Sequence, residues 1–221
     1  MKTIILGTLI MGLAGSAFAV GRGQLDDRIQ SFTSKFTAME QNPATRVPAS
    51  VLAQAQGIIL LDRTGGAFIF GFHSGNGVAL VRGQDGHWSP AGFVSATGAS
   101  LGPQIGGSKD FFVVLLMSPA AVEKLKQPSI DFGAQASATG GSSHAGAQTM
   151  FESQPPILVY SQRNGLYAGA SIKGGSVRAD KDANAVYYGH PVSMDGILFN
   201  HQVAPSENES ALISKIDDSS R

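Results

Sequence analysis

Residues 57–82, GIILLDRTGGAFIFGFHSGNGVALVR, contain three short apolar runs separated by turn-forming residues. The runs occupy 58–61, 67–72 and 78–81. Short apolar runs bounded by Gly, Asn and Asp are typical of β-strands joined by tight turns. Gly75-Asn76-Gly77 fits a turn that requires positive φ, which glycine adopts at little cost. The stretch therefore predicts a three-stranded antiparallel meander.

A similar pattern returns in residues 156–177. The register pairs Ile58 with Ile157, Gly66 with Gly165, Gly75 with Gly174, and Val78 with Val177. Self-similarity of this kind indicates a pseudo-symmetric β domain made of two related halves. Because glycine makes up 28 of the 221 residues, a shared glycine-rich composition is the other interpretation.

The length and composition predict one domain with a mainly β (α+β) fold. A chain of 221 residues with 43% hydrophobic content supplies one sizeable core. We expect a twisted antiparallel sheet or a barrel-like β core, flanked by short helices at the N- and C-terminal ends. Lys plus Arg and Asp plus Glu both number 16. This balance gives no electrostatic footprint for nucleic acid, so no nucleic-acid partner is expected.

Residues 1–19 have the pattern of a cleaved secretory signal peptide. Lys2 gives a basic start, residues 4–13 are apolar, and Ala17-Phe18-Ala19 is a small-x-small cleavage site. The apolar stretch is too short to span a bilayer as a helix. We therefore expect the mature chain to begin near Val20 and to be periplasmic or secreted.

The chain contains no cysteine. This excludes disulfides, thiol catalysis, a cysteine metal site and a lipid-modified N-terminal cysteine. An exported domain of this size without cysteine must rely on its core, which fits a bacterial periplasmic protein better than a eukaryotic extracellular one.

An amphipathic helix is predicted over residues 25–40. Its apolar stripe recurs at helical spacing and consists of Leu25, Ile29, Phe32, Phe36 and Met39. One interpretation packs this stripe on the sheet. The other is reversible membrane docking, in which Leu25, Ile29, Phe32 and Phe36 contact lipid while Arg28 and Lys35 lie near the headgroups.

The remaining pattern divides the chain as follows: an N-terminal helix and linker over 20–45, one domain over 46–216, and a disordered tail over 217–221. Ser206 and Glu209 fit a capping box that begins a last helix. Other predicted helices occupy 48–56, 118–126 and 193–199, and predicted strands occupy 93–97, 110–117 and 130–138.

Two motifs resemble catalytic or phosphate-binding signatures but lack the required context. Gly98-Ala99-Ser100-Leu101-Gly102 matches the nucleophile elbow, which places its serine between a strand and a helix. Pro103 and more glycines follow, so a β-bulge or a tight strand crossing explains the glycines better. Residues 102–109 lack the Gly-Lys-Ser/Thr order of a phosphate loop, and no βαβ unit surrounds them. We therefore expect no catalytic site.

The histidines and tyrosines do not indicate a metal or cofactor site. None of the histidines has a carboxylate or another histidine at ligand spacing; they are His73, His87, His144, His190 and His201. The tyrosines are expected at a sheet edge or in the core; they are Tyr160, Tyr167, Tyr187 and Tyr188. No metal and no cofactor are predicted.

Several spaced blocks together resemble the SYLF domain family. These blocks are Gly57-Ile58-Ile59, Gly71-Phe72, Gly75-x-Gly77-Val78, Arg82, Trp88-Ser89-Pro90-Ala91, Ser100-x-Gly102-x-Gln104-x-Gly106, Tyr160-Ser161, Gly165-Leu166-Tyr167-Ala168-Gly169, Asn184 and Tyr187-Tyr188-Gly189. The resemblance covers residues 46–216. Members occur in eukaryotic actin-patch and endosomal proteins and in secreted bacterial proteins.

The resemblance implies a non-enzymatic, mainly β domain that binds phospholipids, with actin regulation among eukaryotic members. Basic residues that would hold phosphoinositide headgroups are sparse in this chain, so only the fold and a general lipid-binding tendency carry over. The first hypothesis is therefore a phospholipid- or amphiphile-binding module of the bacterial cell envelope. The alternative is a structural or protein-interaction domain of the periplasm without a lipid ligand and with an unknown protein partner.

Overall fold

The computed structural model describes residues 20–65, 70–101, 108–132, 157–162, 165–166 and 175–221. These residues form an antiparallel sheet with helices packed on both faces. Across the sheet, the described strands lie in the order Ile130–Phe132, Gly175–Ala179, Gly92–Leu101, Phe70–Val81, Gly57–Gly65, Ser108–Leu116, Ile157–Ser161 and Gly165–Leu166, and every neighbouring pair is antiparallel. The predicted α+β class with an antiparallel sheet is confirmed, and the sheet formed by these strands is not closed into a barrel.

The strand bounds are β1 Gly57–Gly65, β2 Phe70–Val81, β3 Gly92–Leu101, β4 Ser108–Leu116, β5 Ile130–Phe132, β6 Ile157–Ser161, β7 Gly165–Leu166 and β8 Gly175–Ala179. The helix bounds are α1 Arg22–Glu40, α2 Ala49–Gln54, α3 Pro119–Glu123, α4 Lys181–Tyr188, α5 Met194–Leu198 and α6 Glu207–Ser219. A 3₁₀ turn, Lys124–Lys126, follows α3.

Alternate residues of the central strands enter two separate cores, one on each face of the sheet. On the first face, Ile58 and Leu60 of β1 pack in one cluster with the apolar residues of α1, α2, α4 and α6. On the second face, Ile59 packs in a cluster with residues of α3 and α5. Because both faces of the sheet are covered, the sequence of β1 is a continuous apolar run rather than an alternation of apolar and polar residues.

The predicted three-stranded meander is wrong in its second turn. Strand β2 continues through Gly75-Asn76-Gly77, and Gly77 pairs with Leu61 of β1 and with Val94 of β3. A Cβ atom at Gly77 would lie 2.5 Å from the carbonyl oxygen of Leu60. Glycine at this position therefore permits close approach of neighbouring strands instead of forming a turn.

The predicted repeat does not correspond to two equivalent substructures. Strands β1 and β2 are neighbours, whereas β6 and β8, which contain the matching residues, are separated by four strands. Arg82 forms an isolated bridge with Trp88, whereas the same 99-residue register carries Arg82 onto Lys181, which begins helix α4. Helix α4 was not among the predicted helices.

Helix and strand ends differ from the predictions in several places. Helix α6 runs to Ser219, so the predicted disordered tail over 217–221 is wrong for residues 217–219, while the capping box of Ser206 and Glu209 is confirmed. Strand β3 continues through Ser100 to Leu101, which places Ser100 within a strand rather than at an elbow. The signal peptide over 1–19, most of the phosphate-loop match and most of the predicted strand over 130–138 lie outside the described residues.

Among the described residues, no helix has both the length and the apolar character needed to cross a membrane.

Candidate functional site

The apolar stripe of α1 lies in the core on the first face of the sheet. Its five side chains, at positions 25, 29, 32, 36 and 39, are all 0% exposed. The rings of Phe32 and Phe111 of β4 stack with their centroids 6.3 Å apart. The structure therefore has the arrangement that the packing interpretation predicts. Lipid contact by Leu25, Ile29, Phe32 and Phe36 stays a prediction.

Arg28 and Lys35 lie on one flank of this stripe, near acidic residues that belong to the sheet or directly follow one of its strands. Lys35 Nζ forms a salt bridge with Asp62 of β1. Burial lowers the pKa of the Arg28 guanidinium, while the charges of Asp180 and Asp62 act in the opposite direction. We call Arg28, Lys35, Asp62 and Asp180 the polar seam.

The Arg28 guanidinium is the unusual member of the polar seam. Its Nη1 atom is buried and has no hydrogen-bond partner in the part of the chain that the structure describes. A guanidinium carries five N–H donors, and an unpaired buried donor costs about 1–3 kcal/mol. The Arg28 side chain as a whole is half-buried, so part of it meets solvent, whereas an external acceptor reaches Nη1 only if the side chain moves outward.

The strand register extends the polar seam across the sheet. Asp62 pairs with Asn76, Asn76 pairs with Ser95, and Ser95 pairs with Arg178. Directly paired residues lie on the same face of an antiparallel sheet. This row therefore shares its face with α1 and continues the polar surface beyond the buried apolar residues.

The opposite flank of α1 is closed by hydrogen bonds to α4 and α6. Asp26 Oδ1 accepts from the Tyr187 hydroxyl at 3.0 Å and from Asn208 Nδ2 at 3.2 Å. The Tyr187 and Ser206 hydroxyl oxygens lie 2.7 Å apart. Burial, the largest cause, raises the pKa of Tyr187. We call Asp26, Tyr187, Ser206 and Asn208 the clasp.

A fully buried carboxylate lies next to the clasp. Glu209 Oε1 accepts from the backbone N–H of Ala91 and from the Tyr188 hydroxyl, and its Oε2 accepts from the backbone N–H of Ser206, each at 2.7 Å. Burial and the Glu209 charge raise the pKa of Tyr188. These bonds join β3, α4 and α6, so Glu209 and Tyr188 act as structural groups.

Asn184 explains a further part of the sequence pattern. Its Oδ1 accepts from the Phe93 N–H at 2.8 Å and its Nδ2 donates to the Phe93 carbonyl at 3.1 Å. The side-chain amide therefore satisfies both backbone groups of a β3 residue. Tyr187 is 1% exposed, as expected for a core tyrosine.

A second structural cluster fixes the C-terminal end of α6. The Trp88 indole N–H donates to Asp217 Oδ1 at 3.0 Å, and the Arg82 guanidinium lies 4.5 Å from the centroid of the Trp88 ring. Arg82 Nη1 donates to the carbonyl of Ala53 at 2.7 Å. The cluster joins α2, the β2–β3 connection and α6.

The described residues contain no group of three or more His, Asp or Glu side chains that could bind a metal ion. Sequence reasoning identified Arg28 and Lys35 but missed Asp62 and Asp180 as their acidic neighbours. It also missed the contacts of Asp26 with α4 and α6 on the opposite flank. The local sequence contains one signal, for Asp180. This residue lies three positions before Ala183, the spacing of a helix N-cap, and its carboxylate accepts the Ala183 N–H at the start of α4.

Comparison with known proteins gives a consistent group of relatives. A family model described as Ysc84, Las17-binding protein actin regulator, matches residues 97–219. An SH3 domain-containing protein of Schizosaccharomyces pombe is 30% identical over 165 residues, covering 72% of this chain and 38% of the relative. LAS seventeen-binding protein 3 of Saccharomyces cerevisiae is 29% identical over 157 residues, covering 69% of this chain and 34% of the relative.

The human SH3 domain-containing YSC84-like protein 1 is 26% identical over 170 residues, covering 76% of this chain and 50% of the relative. The chain therefore spans about a third to a half of the length of these curated relatives. The family description names a Las17-binding actin regulator, one yeast relative is named as a LAS seventeen-binding protein, and none of these names states an enzymatic activity.

Proposed function

Because this chain belongs to the Ysc84 (SYLF) family, we propose that it is a non-enzymatic module that binds phospholipid or another amphiphile at the bacterial cell envelope. The family name supports a binding role, since it describes a regulator that binds another protein. The signal-like residues 1–19 support a periplasmic or secreted location.

The unpartnered Arg28 guanidinium is the observation that carries the lipid proposal. Its Nη1 atom lacks an acceptor within the described part of the chain, and Lys35 adds a second cation on the same flank of α1. Phosphate oxygens of a lipid headgroup are strong acceptors for guanidinium N–H groups. Because Nη1 is itself buried, headgroup contact with this atom requires the Arg28 side chain to move toward solvent while α1 stays packed on the sheet.

The alternative function is protein binding without a lipid ligand, and the described surface supports it. Among the described residues, the exposed large apolar side chains are Val20 and Val186, each 39% exposed. Insertion into acyl chains relies on exposed apolar area. Yeast relatives carry names that refer to binding of Las17. For this chain, a protein partner remains the second proposal.

Vesicle flotation of the mature protein tests the lipid proposal. We expect binding to vesicles of phosphatidylglycerol and phosphatidylethanolamine, and weaker binding to phosphatidylcholine vesicles, because Arg28 would recognise an anionic headgroup. Arg28→Gln should reduce binding at least about tenfold, since a hydrogen bond to a charged group contributes about 1.5–3 kcal/mol.

Arg46→Gln is the matched control, because Arg46 is exposed and the substitution removes the same charge. Equal losses in both variants would reduce the effect to net charge. Absence of binding to all three lipids at both low and moderate salt would refute the lipid proposal and leave the protein-binding alternative.

A further inference from the structure

We propose that Asp26 and Tyr187 are positioning residues, which fix the rotation of α1 and thereby hold the Arg28 guanidinium near Asp62 and Asp180. This inference rests on the proposed function, because it assigns residues that prepare the Arg28 site. The clasp and the polar seam hold α1 from its two sides.

Helix geometry connects the clasp to Arg28. Asp26 and Arg28 are two residues apart, which places them about 200° apart around an α-helix and hence on opposite flanks. A rotation of about 20° moves a group 5–6 Å from the helix axis by about 2 Å. Such a shift exceeds the tolerance of a hydrogen bond, so the hold on Asp26 also determines where Arg28 points.

The hydrogen-bond directions in the clasp are determined by its chemistry. A carboxylate accepts hydrogen bonds, so the Tyr187 hydroxyl donates to Asp26. The Ser206 hydroxyl therefore donates to the Tyr187 oxygen, while its own oxygen accepts the N–H of Glu209 at 3.2 Å. Each hydroxyl thus donates one hydrogen bond and accepts another, and the chain of bonds ends on Asp26 of α1.

The clasp is built on fixed elements. The Tyr187 ring lies 4.9 Å from the Phe93 ring and 5.1 Å from the Tyr188 ring, measured between centroids. Ser206 is the N-cap of α6, and its backbone N–H is held by the buried Glu209. Arg22 contributes on the helix side, with its guanidinium 5.3 Å from the centroid of the Tyr187 ring. Helix α1 is therefore positioned against a rigid reference.

The test combines four variants with two measurements. Asp26→Ala and Tyr187→Phe remove the hydrogen bond at either end, whereas Asp26→Asn keeps an oxygen acceptor. Asp27→Ala is the control, because it removes the same charge from an exposed neighbouring position. The measurements are affinity for phosphatidylglycerol vesicles and amide hydrogen exchange along the chain.

We expect Asp26→Ala and Tyr187→Phe to weaken vesicle binding about tenfold relative to Asp27→Ala, and Asp26→Asn to bind within about twofold of wild type. Amide exchange in α1 should become about tenfold faster in the first two variants, with β1 and β4 unchanged. Rescue by asparagine separates positioning by a hydrogen bond from an effect of charge.

Unchanged vesicle affinity in Asp26→Ala, or a loss in Asp26→Asn as large as in Asp26→Ala, would overturn the inference. Faster exchange spread equally over β1 and β4 would also overturn it, since that result indicates general destabilisation. If wild type binds no vesicles, the proposed function fails by itself. The hydrogen-exchange measurement then still tests whether the clasp fixes α1. Unchanged exchange of the α1 amides in Tyr187→Phe would refute this role of the clasp.

Discussion

Two charged groups near the first face of the sheet differ in how the fold treats them. Glu209 is 0% exposed and has a hydrogen-bond donor at both carboxylate oxygens. Arg28 is only half-buried, yet its Nη1 atom has no acceptor within the described residues. Burial of a charge is tolerated when its hydrogen bonds are complete. The difference therefore separates a group whose hydrogen bonds are complete within the fold from one that keeps an unsatisfied donor, which a ligand reaches only when the Arg28 side chain moves outward.

Phe32→Asp should produce the largest effect, because it creates the buried charge without donors that the fold otherwise avoids. Phe32 is 0% exposed and stacks on Phe111. We expect the free energy of unfolding to fall by at least about 4 kcal/mol, from loss of the ring and burial of an unpaired carboxylate. Thermal and urea denaturation measure this change.

Ser34→Asp is the control for Phe32→Asp, since Ser34 is exposed on the same helix. It should change the melting temperature little. An unchanged melting temperature in Phe32→Asp would refute packing of the stripe, whatever the protein binds.

Glu209→Ala should give the next largest effect. The substitution leaves the backbone N–H groups of Ala91 and Ser206 without their acceptor, while the Tyr188 hydroxyl keeps the Ala91 carbonyl as an acceptor at 2.8 Å. Each unsatisfied buried group costs about 1–3 kcal/mol, so we expect a loss of about 3 kcal/mol in urea denaturation. Glu207→Ala, at an exposed position in the first turn of the same helix, should cost well under half as much. Equal losses would show that the helix dipole, not the buried hydrogen bonds, is the cause.

Local patterns in the sequence predicted the elements whose causes are local. The stripe of α1 follows from helical periodicity, and the capping box of α6 follows from the spacing of Ser206 and Glu209. The apolar run at 58–61 likewise predicted a strand. In each case, the residues that form the pattern also form the contacts.

The errors concern partners that are distant in sequence. Glu209 and Ala91 are 118 residues apart, so no spacing rule connects the carboxylate to its donor. Gly77 resembled a turn residue. Glycine is required there because the Leu60 carbonyl of the neighbouring strand leaves no room for a Cβ atom. The clasp and the polar seam required the strand order and the helix packing, which local periodicity does not contain.

Glu40→Gln should give the smallest effect. It concerns a charged group intermediate between Glu209, which has a donor at both carboxylate oxygens, and Arg28, whose Nη1 atom has no acceptor within the described residues. Glu40 is partly buried, and its Oε1 accepts from the Val47 N–H at 3.0 Å. Burial raises the pKa of Glu40, while this hydrogen bond and the charges of Arg46 and Lys215 oppose the rise. A carboxyl with a raised folded-state pKa stabilises the fold fully only below its unfolded-state pKa. That contribution is lost as the pH rises through the folded-state pKa.

Glutamine keeps an oxygen for the Val47 N–H and does not ionise. Glu40→Gln should therefore be more stable than wild type at neutral pH. This advantage should disappear below about pH 4, where the carboxyl is protonated in both states. Urea denaturation at a series of pH values measures the difference, with Glu123→Gln as an exposed control. An advantage of Glu40→Gln that grows toward acid would reverse the sign and show that the hydrogen bond and the neighbouring cations outweigh burial at Glu40.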